Sequence, residues 1–116
     1  MVNAGAIAVA GLMDGASQEQ RAANMLALFG NLAGRPLGID EAVFRSEETT
    51  GHRNRATAYM MLNTGMIKRD PNDVLDLYFR QCSVNVTTRD LAAMTAPIQS
   101  PERKCSRRNM CATCCR

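Results

Sequence analysis

The sequence predicts a mainly α fold, and three observations carry that expectation. Apolar residues recur at the three- and four-residue spacing of a helix face, as in Ala22, Met25, Leu26, Phe29 and Leu32. Start and stop signals bracket such segments, among them Asp70-Pro71 and the Gly34 to Pro36 break. No stretch makes a convincing strand, and no internal repeat is visible.

Residues 4–13 (AGAIAVAGLM) are small and apolar all round, as expected of a helix buried on every side. Asp14-Gly15 ends that segment. Ser17 with Gln20 has the capping-box pattern, in which hydroxyl and amide each satisfy one orphan N–H, and it opens a second helix closed by Gly34 and Pro36. Asp40 caps a shorter helix through Ala42, Val43 and Phe44. Thr49-Thr50-Gly51 interrupts it, because β-branched residues followed by glycine make a poor helix interior. The next helix carries Ala56, Tyr59, Met60 and Met66, with Gly65 near its end. At Asp70-Pro71 an N-cap acid precedes a proline at the first helical position, where its missing N–H costs nothing. Val74, Leu75, Tyr78, Phe79 and Cys82 face one way from that helix, and Thr87 with Asp90 caps a last one presenting Leu91 and Met94. The first helix needs a partner that the others do not obviously supply, and a central sheet would be one. Without it, the apolar surface left bare invites association.

The 116 residues are one domain's worth, and 46% apolar composition is ordinary for a globular chain. The longest apolar stretch, Ala4 to Met13, falls short of the roughly 20 residues of a membrane span. It lacks the basic leader of a signal peptide, so neither membrane insertion nor export is expected. The net charge of +3 is unevenly spread. Residues 1–96 carry nine Lys/Arg and ten Asp/Glu, whereas residues 97–116 carry Arg103, Lys104, Arg107, Arg108 and Arg116 against Glu102 alone. Cys82 lies before the same break, and Cys105, Cys111, Cys114 and Cys115 after it. The shift places a boundary near Pro97, dividing a domain at residues 1–96 from a basic, Cys-rich tail at residues 97–116.

Five cysteines, an odd number without a leader, point to a reducing compartment and a cytoplasmic chain. Cys111-x-x-Cys114 with Cys105 and Cys115 offers thiolates to zinc. The adjacency of Cys114 and Cys115, the lack of a paired knuckle and the distance of His52 argue against such a site, so no metal and no cofactor are expected. The tail charges lack interleaved aromatics, which argues against a nucleic-acid partner. The tail reads as a terminus in another frame, or one joined from unrelated sequence.

Three stretches together resemble the bacterial-type glutaminase family, which has the serine β-lactamase-like fold. They are Asn3-Ala-Gly-Ala-Ile-Ala8, then Ser46-Glu47 with Arg53-Asn54, then Tyr78-Phe79-Arg-Gln-Cys-Ser83 running into Val86-Thr87 and Asp90-Leu91-Ala92. Their order and separation make the resemblance specific over residues 1–96, and it stops after Ala96. It implies the helical portion of a serine β-lactamase-like α+β fold. Since Met1-Val2-Asn3 resembles interior family sequence, it also implies an internal fragment. The implied activity is hydrolysis of L-glutamine to L-glutamate and ammonia, in a homo-oligomer. The family's nucleophile is the serine of a Ser-x-x-Lys motif, upstream of everything here. Ser17, Ser46, Ser83, Ser100 and Ser106 are followed three residues later by Gln20, Thr49, Val86, Arg103 and Asn109. A serine hydroxyl without a base in reach is a weak nucleophile. No catalytic residue is therefore assigned, and the chain alone is expected to be inactive.

The resemblance places substrate contacts on Asn3, Glu47, Asn54 and Tyr78. Their chemistry suits a free amino acid. Glu47 is the natural partner for its ammonium, Asn3 and Asn54 can donate to its carboxylate, and Tyr78 lies where a hydroxyl helps move protons or orient substrate. On one straight helix the seven residues from Glu47 to Asn54 span about 10 Å, more than separates the charged ends of an amino acid. A break at Thr49-Thr50-Gly51 would instead set Asn54 near a helix N-terminus, which favours a carboxylate. Without the resemblance, Glu47 reads as a solvated helix charge, Asn3 as an N-cap, Asn54 as an exposed polar residue and Tyr78 as a core aromatic. His52 reads as a surface residue, and Asn85-Val-Thr87 as a glycosylation triplet that an intracellular chain would not use. The alternatives to an enzyme are a non-catalytic helical remnant and a Cys-rich metal or nucleic-acid binder.

Overall fold

The computed structural model describes residues 2–99 as six helices. They are α1 (Val2–Gly11), α2 (Gln18–Ala33), α3 (Glu41–Thr50), α4 (His52–Asn63), α5 (Pro71–Cys82) and α6 (Thr88–Gln99). The described residues contain no strand. An isolated antiparallel bridge between Ile39 and Val84 ties the approach to α3 to the exit from α5, and the Asp40 N–H donates to the Ser83 carbonyl at 2.8 Å. The cysteines proposed as zinc ligands, Cys105, Cys111, Cys114 and Cys115, lie outside the described residues.

Helix α5 is the hub, packed against α1, α2, α3 and α4. Its start is as expected: Asp70 accepts from the Asn72 N–H at 2.8 Å, and Pro71 takes the first helical position. Val74, Leu75, Leu77, Tyr78 and Phe79 are buried. Two residues depart from the expected face, since Leu77 is buried and Cys82 is exposed. A helix enclosed by four others buries more than one stripe, and Cys82 lies at the end where enclosure stops.

The neighbours of α5 follow local rules with one exception. Ser17 Oγ accepts from the Gln20 N–H at 3.2 Å, but the Gln20 side chain donates forward to Asn24 Oδ1 at 2.9 Å. The box at α2 is thus half made, because the amide finds a partner one turn ahead. Gly34 ends α2 in the left-handed region (φ 76°) and its N–H bonds the Gly30 carbonyl. The box at α6 is complete: the Thr87 N–H donates to Asp90 Oδ2 at 2.7 Å, and the Asp90 N–H donates to Thr87 Oγ1 at 3.2 Å. Arg35 also grips Asp90 with two nitrogens, at 3.0 and 2.5 Å, pinning α6 beside α2. That guanidinium, helped by the Thr87 backbone and hydroxyl, holds the Asp90 carboxyl well below the usual carboxylate range. Helix α6 runs past Pro97 to Gln99.

Two helices bury faces other than those expected. Ile7 and Ala10 of α1 enter the core against α4 and α5, yet Val9 is 59% exposed, and Leu12 just beyond the helix is 77% exposed. Partners among the described residues cover α1 on one side, not on every side. In α4 the packed face is Asn54, Ala58 and Met61. Ala56, Tyr59 and Met60 turn outward, and Met66 lies exposed beyond the helix end. Small Ala58 permits close approach to α5, which decides the face against the larger apolar residues on the other side.

Candidate functional site

The elbow between α3 and α4 sets the geometry. Gly51 is buried at the junction with φ −70°, a value open to any residue, so space and not backbone angle requires glycine. A Cβ there would lie 2.5 Å from Phe79 Cζ and 2.6 Å from the Glu47 carbonyl oxygen. The chain therefore turns directly over the Phe79 ring. Glu47 is left about one turn before the bend, and Asn54 sits in the first turn after it.

The expected helix break is thus present, and Asn54 stands at the start of α4. No side chain among the described residues caps that start, for the N-cap is Gly51 itself. The first N–H with a partner inside the helix is that of Arg55, which donates to the Gly51 carbonyl at 3.0 Å. An uncapped start presents free N–H groups and the positive end of the helix dipole, a favourable place for a carboxylate.

Asn3 and Asn54, 51 residues apart, meet directly. Asn3 Nδ2 donates to Asn54 Oδ1 at 3.0 Å, joining the first turn of α1 to the first turn of α4. Asn54 is 9% exposed, not the exposed polar residue that its neighbours in sequence suggest. The pair opens on a cleft of about 500 Å³ that continues along α4 past Arg53, Thr57, Met60 and Thr64.

Tyr78 and Glu47 stand apart from that cleft. Tyr78 is buried with its ring tilted against Phe79, their centroids 5.7 Å apart. Desolvation above all, with the neighbouring Cys82 side chain and the charge of Glu47, pushes the Tyr78 hydroxyl up to about 12. It is therefore a neutral phenol at physiological pH. The Cys82 thiol is likewise pushed up, first by desolvation and then by Glu47, while the neighbouring Tyr78 hydroxyl works the other way. The structure thus joins Asn3 to Asn54, whereas Glu47 and Tyr78 do not line the Asn3–Asn54 cleft. Sequence reasoning placed Cys82 on the Tyr78 face of its helix but gave it no part in the site.

Among the described serines, Ser46 is exposed on α3 and the other two have their hydroxyls engaged. Ser17 caps α2, and buried Ser83 donates to the Phe79 carbonyl at 2.7 Å. Lys68 lines a separate cleft with Gly11, Leu12 and Asp14. Neutral and acidic groups suited to holding a zwitterion are therefore present, without a serine–lysine pair among the described residues.

Comparison with known proteins bears on this arrangement. The Glutaminase family model matches residues 1–113. A glutaminase of Trichormus variabilis is 50% identical over 98 residues, which cover 84% of this chain and 29% of that protein. Glutaminase 2 of Bradyrhizobium diazoefficiens is 50% identical over 101 residues, covering 84% of this chain and 16% of the relative. Among solved structures, a Bacillus subtilis glutaminase superposes with a TM-score of 0.76 at 34% identity, covering 83% of this chain and 33% of that one. That structure is a covalent complex with 5-oxo-L-norleucine, formed by reaction with 6-diazo-5-oxo-L-norleucine. The chain thus spans a third or less of the length of these relatives. No helix among the described residues is long and apolar enough to cross a membrane.

Proposed function

The chain belongs to the glutaminase family, and we propose that it forms a substrate-binding wall of an enzyme hydrolysing L-glutamine to L-glutamate and ammonia. The observation that carries this reading is the Asn3–Asn54 hydrogen bond at the uncapped start of α4. Two carboxamides and free helix N–H groups there suit the α-carboxylate of an amino acid. Glu47 would take the ammonium, and the neutral Tyr78 hydroxyl would hydrogen-bond the substrate or pass a proton near its amide. The covalent ligand of the Bacillus subtilis relative supports the assignment, since 5-oxo-L-norleucine has carbon where glutamine has its amide nitrogen.

These 116 residues contain no Ser-x-x-Lys, so the proposed role is to bind and orient glutamine, not to cleave it. A cytoplasmic setting and a homo-oligomer belong to the same proposal. We place the functional part at residues 1–96 on the shift in charge and cysteine content.

Calorimetric titration of the chain with L-glutamine, beside an assay for released ammonia, tests the reading. Saturable binding without ammonia release is expected. Ammonia release that survives rigorous removal of host glutaminase would overturn the non-catalytic role, and absence of binding would overturn the recognition role.

A further inference from the structure

The bend between α3 and α4 lacks the devices that usually make one. Gly51 ends α3 outside the left-handed region, and no side chain caps the start of α4. In an unbroken helix the Glu48 carbonyl would accept from the His52 N–H. Here no backbone N–H among the described residues takes that carbonyl, and Arg55 Nη2 reaches back over seven residues to donate to it. The side chain thus replaces the helical bond that would have carried α3 straight into α4.

Two further contacts bring both sides of the elbow onto one ring. Gly51 lies against Phe79, where a Cβ would come 2.5 Å from Cζ, and the Arg55 guanidinium sits 5.5 Å from the centroid of the same ring. Phe79 is buried in the hub helix α5. A cation in the first turn of α4 opposes that helix's dipole, but the same charge stands at the negative end of α3. From these contacts we propose that Arg55 is a positioning residue: it holds the elbow bent and so sets the separation of Glu47, one turn before the bend, from Asn54, in the turn after it. Arg55 does not itself line the Asn3–Asn54 cleft. The proposal rests on the amino-acid-binding reading above and deepens it. A ligand bearing both an ammonium and a carboxylate depends on that separation, whereas one bearing a carboxylate alone does not.

The experiment has two parts on the full chain. Residual dipolar couplings of the backbone amides read the angle between α3 and α4 without any ligand. Arg55→Met keeps an apolar stem but neither contact of the guanidinium. It should change or average that angle while leaving α1 and α5 oriented as before, and an unchanged angle would overturn the proposal. NMR titration then compares L-glutamine with glutaramate, which is glutamine without its ammonium. Arg55→Met should weaken L-glutamine by about tenfold and glutaramate by less than about twofold, so that the preference for L-glutamine narrows. Arg55→Lys keeps a cation on a single nitrogen that cannot bridge carbonyl and ring together, and should fall between the two. It also carries the test if Arg55→Met does not fold. Equal weakening of both ligands would reduce Arg55 to a general structural role and overturn the proposal, as would no weakening of either. If wild type binds neither ligand, the glutamine-binding reading fails and takes the ligand part of the proposal with it. The dipolar couplings then decide alone whether Arg55 holds the elbow.

Discussion

Helices α1 and α5 invert what their sequences suggest about burial. Helix α1 has no charged residue in its ten, yet Val9 faces solvent. Helix α5 carries Asp73, Asp76 and Arg80, yet buries Val74, Leu75, Leu77, Tyr78 and Phe79. The difference is one of position, since α5 has four packed neighbours and α1 has two. Apolar composition says what a helix tolerates, and the number of partners decides what it hides. The charges of α5 are accommodated at its edges, where Arg80 pairs with Asp76 at 2.8 Å and lies over the Phe44 ring at 4.8 Å.

Substitutions along this contrast should have graded effects. Phe79→Ala removes one of the largest fully buried side chains at the hub. It should cost about 3–5 kcal/mol in urea unfolding, enough to unfold a marginal chain. A loss under about 1 kcal/mol would show that α5 is not the energetic centre.

Gly51→Ala should cost about 1–3 kcal/mol by overpacking against Phe79 and should weaken glutamine binding by disturbing the elbow that places Asn54. Adding Phe79→Leu should recover part of the loss. Strict additivity of the two changes would mean that Gly51 is required for some other reason.

The Asp90 clasp makes a prediction about acid. Its carboxyl is depressed in the folded chain by Arg35 and Thr87, so its contribution is present above the unfolded carboxylate value of about 4. It is lost progressively as pH falls from there toward the folded value. Urea midpoints should drop through that acidic window and change less in Asp90→Asn, already weakened at neutral pH. The same acid dependence in both proteins would assign the effect to other carboxylates.

The smallest stability change is expected at the bare side of α1. Leu12→Ser should alter stability by under about 0.5 kcal/mol. It should nevertheless reduce self-association in light scattering, because Leu12 is 77% exposed. A large loss of stability would mean that the residue is covered in solution.

Much of the candidate site was legible as single residues and little of it as geometry. Asn3, Glu47, Asn54 and Tyr78 came from a family resemblance, and the Gly51 break from propensity. That Asn54 would be buried did not follow, because burial came from α1 arriving from 51 residues away. The outward face of α4 was misjudged for a related reason: periodicity finds apolar residues but does not say which of them meets a neighbour.

The sequence by itself determined where the helices begin and break, since caps, prolines and glycines act within a few residues. Asp70-Pro71, Gly34 and the Thr87–Asp90 box belong to that class. Only the tertiary structure decided that α5 is the hub, that α1 is covered on one side, and that Asn3 and Asn54 meet. The physical reason is range: a cap is satisfied by the next turn of chain, whereas burial and pairing depend on what distant segments bring.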